Sequence, residues 1–210
     1  MKERSVAQVI GDRRSIRRFK ADPVERSVLE DILRAGIAAP SSKNRQPWHL
    51  TVLEGAAKER VLRVMEQGLA REKEAETPFL TESGQFLPGA VHSLSIMRQA
   101  PVLVLMSNSL AAEPDFARGL ERDVRVGEIC NIQSVAAAIE NMLLAAEERG
   151  IGSLWLGDIF FAYPELQAWL DREVPGHGML VAGISFGHPD ETPGPRPRKD
   201  FTKSVTFFTE

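Results

Sequence analysis

The stretch "EICNIQSVAAAIENMLLAAEERG", residues 128–150, decides how the rest of the chain is read. Ile129, Ile132, Ala136, Ile139, Leu143 and Ala146 recur on one helical face, and Val135, Met142 and Leu144 widen it. A helix apolar this far round has to be covered, by a core or by a second subunit. Gly150 suits the left-handed cap that closes such a helix. The least polar part of the stretch, "IQSVAAAIENMLLAAEE", carries Gln133, Glu140 and Asn141 and is too short and too polar to be expected across a bilayer.

Working outward, "IGSLWLGDI" and "MLVAGISFG" read as strands on the C-terminal side. "PVLVLMSN", a continuous apolar run, reads as a central strand, and "WHLTVLE" as another. "DPVERSVLEDILRAGIAAP" predicts a helix with Asp22 as cap, Pro23 at its first position, Val28, Leu29, Ile32, Leu33 and Ile37 on one face, and Pro40 past its end. "VAQVIGDR" and "AAKERVLRVMEQGLAREKEAE" are further helices. Residues 77–97 mix Pro, Gly, Phe and Ser without clear period, as a mobile lid would. The tail "HPDETPGPRPRKDFTKSV" is rich in proline and basic residues, and "SVTFFTE" reads as one last strand. With no internal repeat and no linker, the 210 residues are expected to form one α+β or α/β domain.

Composition limits the chemistry. A 43% hydrophobic, 26% charged chain has the balance of a soluble globular protein. An isoelectric point near 5.9 argues against general polyanion binding, so no nucleic-acid partner is expected. The single cysteine, Cys130, forbids an internal disulfide and fits a reducing cytoplasm. Charge interrupts "MKERSVAQVIGDRR", so no secretory signal is read there.

Against that acidic background "GDRRSIRRFK", residues 11–20, packs four arginines around one serine. As a helix it would set Arg13 against Arg17 and Arg14 against Arg18. As extended chain it would put Arg13, Ser15 and Arg17 on one side, a fork-shaped grip for a phosphate monoester. A solvated basic loop is the plainer alternative. "PSSKNRQPWHL", residues 40–50, sets Ser41, Ser42, Asn44 and Gln46 on irregular backbone, with Gln46 expected extended before Pro47. These groups could match the polar edge of a heteroaromatic ring, or simply form an Asx-type turn. In "GPRPRKD", Arg196 and Arg198 alternate about Pro197, either a second anion clamp or a solvated tail.

Other patterns carry less. "GISFG" formally fits a serine-hydrolase elbow around Ser185, but His188, Pro189 and the prolines beyond forbid the helix that motif requires. The "GIGSLWLGDIF" stretch follows a helix and lacks the third glycine of the dinucleotide fingerprint. His49, His92, His177 and His188 show no zinc-ligand spacing.

Taken in order, "RRSIRRF", "APSSKNRQPWHL", "AAIENMLLAAEERGIGSLWLGDI" and the basic "RPRK" resemble the FMN-dependent nitroreductase family, nearly end to end. The resemblance implies an α+β fold of one domain over residues 1–210. Its central, mostly antiparallel sheet is flanked by helices, with a substrate lid at about 68–97 and a C-terminal arm at about 188–210 that exchanges a strand with the partner of a homodimer. It implies that Arg13, Arg14, Ser15 and Arg17 hold the FMN phosphate and ribityl chain, with Arg196 and Arg198 closing on the same phosphate. Pro40, Ser41, Ser42, Asn44 and Gln46 would meet the isoalloxazine ring from the partner subunit. Leu156, Gly157 and Asp158 would line its N5 edge. The implied activity is a ping-pong transfer of hydride from NADPH or NADH, through FMN, to a nitroaromatic, quinone or similar acceptor, with no side-chain acid or base. A flavin-binding or regulatory protein without turnover is the alternative. The only tyrosine, Tyr163, lies outside the lid, unlike the substrate-gripping lid tyrosine of the family's iodotyrosine dehalogenases.

Overall fold

The computed structural model describes residues 4–111 and 122–209. Ser5 opens α1 (Val6–Asp12) through a capping box: Gln8 N–H donates to Ser5 Oγ, and Ser5 N–H to Gln8 Oε1. An extended segment follows, anchored by buried Ile16 and Phe19. The second helix, α2 (Arg26–Ile37), starts later than Asp22 and Pro23 predict. Its cap residue is Glu25, without a side-chain bond, and buried Val24 lies in non-helical backbone between the prediction and the start. β1 (Trp48–Glu54) runs directly into α3 (Gly55–Glu74).

The region read as a patternless lid is largely helical. Residues 68–74 finish α3, a short 3-10 turn covers Gly84–Phe86, and α4 (Leu87–Gln99) follows with a proline in its first turn. Pro88, Gly89 and the scattered serines hide a helix whose Ala90, Leu94, Ile96 and Met97 are buried. Only residues 75–86 lie outside α3 and α4.

β2 (Val102–Asn108), α5 (Arg122–Glu148), β3 (Gly152–Leu156), α6 (Tyr163–Glu173) and β4 (Met179–Gly187) complete the regular elements among the described residues. The sheet order is β1-β2-β4-β3 and every pairing is antiparallel. Side-chain alternation divides the core. Val102, Val104 and Met106 of β2 join Ala182, Ile184 and Phe186 of β4 against α2 and α5. Leu103 and Leu105 face the other way, into the layer formed with α3, α4 and α6. The chain is thus an α+β domain with helices on both faces of an antiparallel sheet.

α5 packs on α2 at Gly36, where a Cβ would press on the Met142 side chain, and Asn141 Nδ2 donates to Ala35 O (3.1 Å). By length and composition Asp123–Glu148 is apolar enough to cross a membrane, at mean hydropathy 1.3, contrary to the sequence reading. Half of that window is buried inside the fold, as in a core helix. The rest is not buried all round: Val126 and Ile129 are exposed in the single chain. Gly150, at φ +71°, closes the helix, with Ile151 N–H bonded to Ala146 O (2.9 Å). Ser185 lies within β4 and is buried, so no nucleophile elbow forms. The expected terminal strand has no sheet neighbour in one chain: residues 205–209 are irregular, and Phe208 is 95% exposed.

Candidate functional site

The arginine-rich segment is extended, as the like-charge argument requires. Ile16 N–H donates to Ser153 O (2.9 Å), tying it beside the start of β3, while Lys20 N–H donates to His188 O and Asp190 N–H to Arg18 O. Ile16 and Phe19 turn into the core. Arg13, Arg14, Ser15 and Arg17 instead line a cavity of about 570 Å³, and Arg196 and Arg198 line it as well. Two segments some 180 residues apart in the chain therefore meet at one cavity, as both anion-clamp readings require. Arg18, outside that set, donates to Asp190 O (2.8 Å). Glu191 holds the joint by accepting the backbone N–H groups of Arg17 and Arg18.

Five guanidiniums border this cavity against one carboxylate, Glu140. Arg13 Nε reaches Glu140 Oε1 at 3.5 Å. Arg14 Nη1 donates to Gly11 O (2.7 Å) and Arg13 O (2.9 Å), but its buried Nε has no hydrogen-bond partner. A buried donor in a cationic cluster favours a bound anion with several acceptor oxygens. Glu140 was read only as a polar interruption of an apolar helix. Its place in the cavity depends on how α5 packs, which helical spacing alone does not reveal.

β3 leads from Ser153, beside Ser15, to Gly157 and Asp158, which border a second cavity of about 550 Å³. Phe79, Phe86, Phe160 and Phe161 give it aromatic walls. Ser93 Oγ donates to Asp158 Oδ2 at 2.5 Å, joining α4 to the turn after β3. Leu156 is only 2% exposed, so its side chain serves the core and only its backbone is available to a ligand. Within the stretch expected as a lid, Phe79 and Phe86 line this cavity, while Leu87 packs against the core. Phe160 and Phe161 went unmarked, because "DIFFAY" carries the residue types of any core segment.

The third group stands apart from both cavities in the single chain. Residues 40–46 pass over α5, where Ser42 N–H donates to Ser134 Oγ (3.3 Å). Asn44 (φ 52°) and Gln46 (φ 48°) are left-handed, so Gln46 is not extended as predicted. Ser41 Oγ accepts Gln46 N–H (3.0 Å) and Asn44 Oδ1 accepts from Gln46 Nε2 (3.2 Å), bonds that hold the turn against the preference before proline. Pro40, Ser41, Ser42, Asn44 and Gln46 thus form one polar turn that neither cavity includes.

Comparison with known proteins accounts for this layout. The sequence pattern of the Nitroreductase family matches residues 10–188. The chain belongs to the nitroreductase family. It is 32% identical over 205 residues to a protein of Archaeoglobus fulgidus named as a candidate NADH dehydrogenase/NAD(P)H nitroreductase, covering 96% of this chain and 91% of the relative. It is 28% identical over 208 residues to nitrobenzene nitroreductase of Ectopseudomonas oleovorans, covering 89% and 88%. Among solved structures, a candidate nitroreductase of Desulfovibrio desulfuricans in complex with FMN aligns over 100% of this chain and 99% of its own, at TM-score 0.69 and 27% identity. The nitroreductase-like fold expected from the four quoted motifs is therefore the fold of this chain, and its class is oxidoreductase.

Proposed function

We propose that this nitroreductase-family protein binds FMN and uses it to pass reducing equivalents from NADPH or NADH to a small electrophilic acceptor, a nitroaromatic, a quinone or a similar compound. The single observation that carries the reading is the cavity where Arg13, Arg14 and Arg17 meet Arg196 and Arg198 around a buried, unpartnered Arg14 Nε. Those residues fit a phosphate monoester, which would offset charges that otherwise repel.

FMN, when bound, supplies the redox chemistry by accepting and donating hydride in turn, which gives ping-pong order. The chain supplies position and environment. The guanidiniums and Ser15 hold the phosphate and ribityl end, and the backbone of Leu156, Gly157 and Asp158 offers N–H groups to the ring's N5 edge. The apolar cavity beside Gly157 excludes water and admits nicotinamide and acceptor by turns. The polar turn at 40–46 would complete the ring site of a second copy, making the protein a homodimer. The exposed end of α5 and the tail at 205–209 support that assembly, in which the tail would add a strand to the partner's sheet. The lone cysteine supports a cytoplasmic location.

The test is an absorption spectrum of the purified protein, followed by anaerobic NADPH or NADH. Visible flavin bands that bleach on addition are expected. Bound flavin that does not bleach with either donor would place the chain among non-catalytic flavin binders. A spectrum still colourless after added FMN would overturn the reading.

A further inference from the structure

Glu72 lies near the C-terminal end of α3, where a solvated glutamate is the ordinary expectation, yet it is only 4% exposed. Its carboxylate accepts two backbone bonds from the segment that follows: Phe79 N–H to Oε2 (2.9 Å) and Leu80 N–H to Oε1 (2.7 Å). Both residues line the aromatic cavity. Arg71 also donates to Glu72. Arg71 is itself fixed by a two-pronged bond to Glu165 of α6, Nε to Oε1 and Nη2 to Oε2, each 2.9 Å. The Phe79 ring then stacks on Tyr163, centroids 5.6 Å apart and planes 7° from parallel, and Phe160 stacks on Tyr163 at 5.9 Å.

A buried carboxylate whose two oxygens accept consecutive backbone N–H groups fixes that backbone far more tightly than side-chain packing would, because both donors lose their partners if it moves. The segment concerned is the only stretch between α3 and α4. We propose that Glu72 is a positioning residue that latches Phe79 and Leu80 in place as one wall of the acceptor pocket, shaping it for flat, uncharged aromatic rings. The proposal rests on the flavin-oxidoreductase reading for the word acceptor. The ring class comes from the cavity itself, which four phenylalanines line and whose one carboxylate, Asp158, disfavours anions.

Two substitutions separate a latch from a simple ion pair. Glu72→Asp keeps the charge beside Arg71 but withdraws the oxygens by one methylene from the two N–H groups. Glu72→Gln keeps the reach but removes the charge and turns one acceptor oxygen into an amide donor that faces a backbone N–H. Full-length protein saturated with FMN is titrated calorimetrically with 1-naphthol, a flat neutral ring, and assayed with menadione as acceptor. The latch predicts that Glu72→Asp and Glu72→Gln each weaken naphthol binding and raise the menadione KM about tenfold with kcat retained, whereas an ion pair alone would leave Glu72→Asp within about threefold of the unaltered protein. Phe79→Ala should match Glu72→Asp. Unchanged naphthol binding in Glu72→Asp, a fall in kcat with unchanged KM, or no naphthol binding by the unaltered protein would each overturn it. The naphthol arm needs no turnover. If FMN does not bind yet naphthol affinity still falls in Glu72→Asp, the flavin reading has failed and the latch has not.

Discussion

The two cavities are nearly equal in volume, about 570 and 550 Å³, and opposite in construction. The first gathers guanidiniums from the two ends of the chain onto largely exposed backbone, and its charges repel one another. The second is walled by aromatic rings, two of which stack on Tyr163, and a buried carboxylate holds the backbone that carries two of its residues. One leaves a buried donor, Arg14 Nε, unpartnered among like charges; the other is held by its own contacts. The difference suggests a division of labour along β3. On the proposed reading the charged end would select and retain the cofactor, and the apolar end would stand preformed for reactants that come and go.

If that division is right, the largest effect comes from the charged end. Arg14→Ala should weaken FMN binding by about 1.5–3 kcal/mol, the range for hydrogen bonds to a charged group, read by fluorescence titration. Raising salt should weaken FMN binding by the unaltered protein while leaving 1-naphthol binding flat. Equal losses at both ends would break the comparison.

A second change acts on the apolar end from below. Gly68 of α3 lies so close to Ala162 that an added Cβ would sit 2.7 Å from the Ala162 Cα, with the Ala162 Cβ nearer still. Backbone cannot yield as a flexible side chain does. Gly68→Ala should therefore cost about 1–3 kcal/mol of stability and lower the melting temperature. Among molecules still folded, naphthol affinity should fall more than FMN affinity. A smaller effect of opposite sign is expected at Glu140, the one carboxylate competing for Arg13. Glu140→Gln should tighten FMN binding by up to about 1 kcal/mol, since the pair is partly open to solvent.

The same contrast explains what the sequence revealed. Four arginines around Ser15 are legible because repulsion disfavours a helix there, although strict alternation would turn Arg14 away from the cavity that it lines with Arg13, Ser15 and Arg17. The central strand is legible because a continuous apolar run of strand length, "PVLVLMSN", needs cover on both faces, and every residue of β2 is buried. The order β1-β2-β4-β3 is not, since it rests on contacts between distant segments. α4 escaped because Pro88 and Gly89 look like loop residues, although proline is well suited to a first helical turn. The start of α2 was misplaced because a good cap sequence at Asp22 lies ahead of a buried Val24. Glu72 was invisible for a different reason. In "REKEAE" it is one acid among several, and only the backbone returning at Phe79 distinguishes it.

The smallest expected effect concerns acid. Burial alone would raise the Glu165 carboxyl, but its bonds to Arg71 outweigh that and hold it below the ordinary value of 4.5. A depressed carboxylate contributes stability that is fully present above about 4.5 and is lost as pH falls through the folded value. Because the Arg71–Glu165 pair is partly solvated, the contribution should stay under about 1 kcal/mol. The charged end should respond earlier. A phosphate monoester loses its second charge near pH 6, so FMN binding should weaken between about 7 and 5 while naphthol binding holds until below 4.5. Glu165→Gln should abolish only the lower of the two transitions. If both ligands weaken together near pH 6, the wall that Arg71 and Glu72 hold is coupled to the phosphate site, and the two ends of β3 act as one.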